Sequence, residues 1–256
     1  MVAIEARGGS VFDPITIYVL VVIFFATLIR STLGFGEALI AVPLLALRLP
    51  ITVAAPLAVL VSIVIAGVIV VQDWQHVQLR SAMGLIFASL PGIPLGVWLL
   101  AKGNEHTVKF LLGILIIGFS IYSLTAERTL QLKEDHPGWL LACGFLSGVL
   151  GGAYGMNGPP LAIYGALRRW SPGHFRATLQ GYFLPASFVG FIGYVVLGLY
   201  GPAIARYFFF SLPAVAIAVL LGRSINQRMK SHDFFRFVYL GLVIVGGVLA
   251  FQAMQK

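Results

Sequence analysis

The chain alternates long apolar runs with short polar gaps. Apolar runs cover Ile15 to Leu47, Ile51 to Val71, Leu79 to Ala101 and Val108 to Leu124. A polar stretch from Ala126 to His136 follows, carrying Glu127, Arg128, Lys133, Glu134 and Asp135. Four more runs come after it: Trp139 to Leu167, Ala177 to Tyr200, Ala203 to Leu221 and Phe234 to Met254. A spanning helix needs about 20 apolar residues. The pattern therefore predicts an all-α polytopic membrane protein of about eight to ten membrane helices. It divides into a first membrane repeat, residues 1–126, a polar linker, 127–136, and a second repeat, 137–256.

The two halves carry matching punctuation. Each first run is long and glycine-rich in its middle: Ser31-Thr-Leu-Gly-Phe-Gly-Glu37 in one, Ser147 through Gly155, Asn157, Gly158 and Pro160 in the other. Both third runs contain Ser-Leu-Pro, at Ser89 to Pro91 and Ser211 to Pro213. His106 then Lys109 precede one fourth run, and His232 then Arg236 the other. The offsets grow smoothly, 116 from Ser31 to Ser147, 122 from Pro91 to Pro213 and 126 from His106 to His232. Gene duplication accounts for this better than the general abundance of glycine and proline in membrane helices.

A continuous helix from Ile15 to Leu47 would be about 50 Å long, against a hydrocarbon core of about 30 Å. Central glycines lower the cost of leaving helical geometry. Each first run thus reads as two half-helices with an unwound point between them. If the broken run crosses once, the halves are parallel repeats; if it is a re-entrant hairpin, they are inverted. Leaving out Arg30, Lys and Arg divide ten to six between the two faces under either topology, so the positive-inside rule does not choose.

Composition narrows the class. Of 256 residues 59% are hydrophobic and 10% charged, where a soluble domain has about 25% charged. The net charge of +8 comes from basic residues in the gaps, which marks cytoplasmic loops of a multi-pass protein of a bacterial-type inner membrane. No basic patch with interleaved aromatics suggests nucleic acid, and the lipid bilayer is the expected partner. No cleavable leader is expected, since Glu5, Arg7 and Asp13 precede the first run. Cys143, the single cysteine, reads as a packing residue, and Trp74, Trp98, Trp139 and Trp170, near run ends, as interfacial anchors. His76, His106, His136, His174 and His232 are scattered, so no metal or other cofactor is expected. No nucleophile–base constellation is visible, so the chain reads as no enzyme.

Two broken helices at matching positions point to a transporter's binding site. A half-helix starting at membrane depth presents orphan N–H groups and a positive dipole end, which suit an anion. Asn157 is a candidate N-cap or direct ligand there, with Gly155, Gly158 and Pro159 beside it and Pro160 in the first turn. In the first half the break is Gly34, Phe35 and Gly36, flanked by Ser31. The rival reading is that these glycines permit close helix packing. Arg30 is a candidate anion ligand or an interfacial arginine. Glu37 is a candidate proton-coupling group or a first-turn acid favoured by the helix dipole. Arg176, with Thr178 and Gln180, is a candidate for the cytoplasmic mouth of the site or a positive-inside anchor.

These motifs resemble the sulfite exporter TauE/SafE family, also called the toluene-sulfonate uptake permeases. The resemblance rests on the segment from Leu33 to Pro43, on that from Gly151 to Pro160, and on Pro91-Gly-Ile-Pro-Leu-Gly96. It implies a duplicated membrane protein that moves sulfite, sulfonates or related small sulfur or organic anions. Glu37 and Ala38 stand where the family has more glycine, and Asn157 where it has glycine before Gly158. The expected function is a secondary transporter for a small sulfur-containing or carboxylate anion. The alternatives are an anion channel and the membrane subunit of a larger complex. A coupling proton or cation and a second copy of the chain are further candidate partners.

Overall fold

A computed structural model describes residues 13–73, 79–125, 136–168, 170, 172–228 and 233–254. The expected linker, apart from His136, lies outside these residues, as do Trp74, His76 and His232. The described residues form eleven helices and no strand. They are α1 (Pro14–Leu33), α2 (Glu37–Ala46), α3 (Ile51–Asp73), α4 (Leu79–Ser89), α5 (Gly92–Lys102), α6 (Glu105–Thr125), α7 (Pro137–Tyr154), α8 (Gly158–Leu167), α9 (Pro172–Val196), α10 (Pro202–Arg228) and α11 (Asp233–Met254). Among the described residues six helices, α1 and α7 among them, are long and apolar enough to cross a membrane, and α4 with α5, bent by 44°, is a seventh candidate if the pair is one span. The protein is a multi-pass helical membrane protein.

The breaks in the long first runs fall at the central glycines. Gly34 ends α1 with φ +89° and its N–H on the Arg30 carbonyl, and Gly36 precedes α2 with φ +98°. Gly155 ends α7 with φ +67°. Only glycine adopts these left-handed angles at little cost. The other glycines of α7 act as the packing reading expects. A Cβ at Gly148 or Gly152 would run into the backbone of Ser89 or Ile93, and one at Gly92 or Gly96 into that of Phe145 or Val149. Small residues on facing surfaces let α7 lie backbone to backbone on α4 and α5. Cys143 is buried on the same helix.

The shared Ser-Leu-Pro motif has two outcomes. At Ser89 to Pro91 the helix bends between α4 and α5, whereas Pro213 sits inside the continuous α10. Pro91 is followed by Gly92, a poor helix former drawn against α7, while Pro213 is followed by Ala214 and Val215.

Side-chain contacts fix the helix directions. The Tyr18 hydroxyl near the start of α1 donates to the Leu44 carbonyl near the end of α2, at 2.5 Å, and Arg48 lies over the Tyr18 ring. So α2 doubles back along α1, and the pair is a hairpin inserted from one face. The next helix, α3, leaves from that face, and α4 with α5 returns to it. Gly84 meets Leu140 and Gly96 meets Ala153, so α7 runs parallel to α4 and α5. Ile93 meets Gly190 and Val97 meets Gly193, so α9 runs parallel to α5. Since α7 and α9 start from the same face, α8 must carry the chain back, and α7 with α8 is a second hairpin inserted from the opposite face. Helices α3 to α6 follow the first hairpin and α9 to α11 the second, and α6 and α11 run antiparallel, Gly113 meeting Ala250 and Ile117 meeting Gly246.

Trp98 and Trp139 are exposed, in keeping with interfacial anchoring. Trp170 is less exposed than these two. It is half-buried, with ring contacts to Tyr164 and Phe175.

Two outcomes follow from this topology. In a Cys143→Ala background, single cysteines at Gly103, after α5, and at Arg168, after α8, will react with an impermeant maleimide from opposite faces of oriented vesicles; parallel halves would label them from one face. Gly96→Leu will lower stability by about 1–3 kcal/mol, as overpacking does, read as an earlier thermal unfolding transition in detergent.

Candidate functional site

The tips of the two hairpins meet. A cleft of about 340 Å³, open mouth included, lies between them. Its wall comes from the first break and the start of α2 (Phe35 to Leu39), from the second break and the start of α8 (Gly155 to Pro159), and from Arg30, Ser62 and Phe183. Two helices thus begin at one cavity inside the bundle.

The two starts are chemically unequal. The first helical bond of α2 is Ile40 N–H to the Gly36 carbonyl, and no side chain caps the helix. The N–H groups of Glu37, Ala38 and Leu39 therefore have no intrahelical acceptor, and all three residues line the cleft. In α8 the second and third residues are Pro159 and Pro160, which have no N–H, so it offers fewer donors. The α2 start is the stronger anion end.

Arg30 is the hub. It is 3% exposed. Its Nη1 donates to Glu37 Oε2 at 2.6 Å and to Ser62 Oγ at 2.6 Å, and its Nη2 to Gln180 Oε1 at 2.8 Å. The guanidinium lies 5.0 Å from the Phe183 ring centroid, a cation–π contact strengthened by desolvation. Arg30 Nε is buried without a hydrogen-bond partner. Gln180 uses its other end, Nε2, to donate to the Gly34 carbonyl at 2.5 Å. One arginine therefore ties α1, α2, α3 and α9 together at the first break. Glu37, 2% exposed, completes a buried ion pair with it.

Most of the residues named as candidates from the sequence are brought together. Arg30, Phe35, Gly36, Glu37, Gly155, Asn157, Gly158 and Pro159 line the one cleft. Gly34 stands just behind, its carbonyl held by Gln180. Ser31 does not join them. One position along α1 from Arg30 is a turn of about 100°, and that aims Ser31 at α10, where its Cβ packs on Gly222. Gln180 is not at a mouth but fully buried against Arg30, because two turns of α9 carry it inward from Pro172. The Arg176 side chain lies outside the described residues. Asn157 occupies the N-cap position of α8 without capping it, and its Oδ1 is turned against Gly151 with no hydrogen bond. The Asn157 carbonyl is held instead by the Ser147 hydroxyl at 2.7 Å, itself bonded to the Tyr182 hydroxyl at 3.0 Å.

Ser62, Met156 and Phe183 were not expected. For Ser62 a signal existed: it is the one hydroxyl deep in the run from Ile51 to Val71. Phe183 and Met156 gave none, since apolar residues in an apolar run carry no mark.

The sequence matches the family model described as Sulfite exporter TauE/SafE over residues 19–249. The chain is similar to the probable sulfite/organosulfonate exporter TauE of Cupriavidus necator (strain ATCC 17699 / DSM 428 / KCTC 22496 / NCIMB 10442 / H16 / Stanier 337). The two are 24% identical over 235 residues, which cover 90% of this chain and 91% of that protein. No solved structure matches.

The buried pair predicts a non-additive double-mutant cycle. Arg30→Met or Glu37→Met alone leaves an unpaired charge inside the bundle and will cost about 3–5 kcal/mol. The double substitution will recover most of that loss. Unfolding of the purified protein in detergent reads all four corners of the cycle.

Proposed function

The chain belongs to the sulfite exporter TauE/SafE family of transporters, and from that premise we propose that it carries a small sulfur oxyanion or organosulfonate through the cleft between its two hairpin tips. The observation that carries this reading is the convergence at one cavity of two half-helix starts and a buried arginine. Three orphan N–H groups at the start of α2 suit the oxygens of a tetrahedral or pyramidal anion. Arg30, whose Nε has no partner, adds the directed donors that such oxygens take. Phe35, Met156 and Phe183 suit the sulfur or a short organic group. The name of the Cupriavidus relative, a probable sulfite/organosulfonate exporter, supports the same substrate class.

The architecture supports alternating access by two inverted repeats, residues 1–126 and 137–256. A site at the junction of two oppositely inserted hairpins is exposed to either face by a rocking of one half against the other. Inversion puts ten of the sixteen Lys and Arg residues other than Arg30 on the face where α7 starts. That face is the cytoplasmic one, in an inner membrane of bacterial type.

The test is counterflow of radiolabelled sulfite and methanesulfonate in proteoliposomes. The wild-type chain will accumulate label against an internal pool of the same anion, which a channel does not do. Arg30→Gln, Asn157→Ala and Gly158→Leu will each reduce the initial rate, Arg30→Gln by at least about tenfold, the loss of roughly one charge-assisted hydrogen bond. Unchanged rates in all three, with monodisperse protein, would place the site elsewhere.

A further inference from the structure

Glu37 stands where the anion is expected. Its carboxylate is at the first residue of α2, inside the positive end of the helix, and it accepts from Arg30 Nη1. One attraction that a substrate anion would use, the Arg30 guanidinium, is already engaged by an anion belonging to the protein, which also sits in the field of the helix start. Among the described residues that line the cleft, Arg30 and Glu37 are the only charged groups, and together they are neutral. The remaining groups around them do not ionise near neutral pH: Ser62 on α3, Gln180 and Phe183 on α9, Phe35 at the first break, and Met156, Asn157 and Pro159 at the second.

We propose that Glu37 is a resident anion which the substrate displaces from Arg30, and that the displaced carboxylate takes up one proton, so that the anion and a proton move together. This rests on the transport reading above. The balance is simple. The Nη1–H···Oε2 bond of Arg30 to Glu37 is exchanged for an Nη1–H···O bond to the substrate, and a proton from the water of the open face bonds to the freed carboxylate. A monoanion entering with Glu37 still ionised would leave one uncompensated negative charge inside the bundle, which burial penalises heavily. With Glu37 protonated, Arg30 and the monoanion balance. When the anion leaves, Arg30 recaptures Glu37 and the proton is released to the same face. The empty carrier reorients with the ion pair closed and the loaded carrier with the anion in its place; both are neutral.

The experiment uses methanesulfonate and ethanesulfonate, monoanions that keep their charge near neutral pH, so that any proton movement belongs to the protein. In weakly buffered detergent solution the wild-type protein will take up about one proton for each methanesulfonate bound, and its affinity will fall about tenfold per pH unit on the alkaline side. Glu37→Gln, which still offers Arg30 an amide oxygen, will take up none and bind with an affinity independent of pH. In proteoliposomes a pH gradient will drive the wild-type chain to accumulate methanesulfonate, and a potassium-diffusion potential will not. Binding or flux that ignores pH and follows the potential overturns the coupling while the transport reading stands. Failure of the wild-type chain to bind or move either probe overturns both. The wild-type proton count needs no variant, so misfolding of Glu37→Gln would not rescue the proposal.

Discussion

The buried pair of Arg30 and Glu37 constrains everything around it. A guanidinium at the depth of a helix break needs its charge balanced and acceptors for its terminal nitrogens. The chain meets both demands from separate elements. Glu37 supplies the charge from the start of α2, Ser62 an acceptor from α3, and Gln180 another from α9. Gln180 in turn holds the carbonyl of Gly34, one of the two residues that break the helix. The hairpin tip is therefore held by polar bonds as well as by the ring contact of Phe35 with Phe175.

Close packing elsewhere makes this possible. Small residues along α7 lie against those of α4 and α5, and Gly113 faces Gly246 where α6 meets α11. In a bilayer there is little hydrophobic drive between helices, so van der Waals contact between backbones holds the bundle. These seams are rigid supports for two hairpins, each entering from its own face. The second hairpin is fastened by a hydroxyl relay, Tyr182 to Ser147 to the Asn157 carbonyl, and has no charge of its own. The two hairpins are thus alike in backbone and unlike in chemistry: α2 offers three orphan N–H groups and a carboxylate, α8 two prolines.

That asymmetry bears on function. A transporter of the sulfite exporter TauE/SafE family needs a site that attracts an anion and also releases it. A free arginine beside a helix start would hold an oxyanion too well. Under the coupling proposed above, an internal carboxylate on the same arginine weakens the net attraction and makes it depend on the proton. Coupling would then arise from competition between two anions for one cation, with no separate proton pathway needed.

Much of this was legible in the sequence, because each feature has a local physical cause. The apolar runs specify spans, since their length must match the bilayer. Gly34, Gly36 and Gly155 specify breaks, since only glycine takes left-handed angles cheaply. Pro159 and Pro160 mark a helix start, and Arg30 and Glu37 stand out because charge is costly among apolar residues. What the sequence left open were relations between distant segments. The charge tally fitted parallel and inverted halves equally, and only the bond from Tyr18 to Leu44 shows that α2 turns back along α1. Gln180 looked like a mouth residue, and only the helix packing brings it 150 positions back along the chain onto Arg30. Ser31 looked like a neighbour of the site, and the helical rotation of one residue sends it to α10. Local backbone preference and burial cost are written in single residues, whereas the direction of a helix and the face it turns are set by its partners.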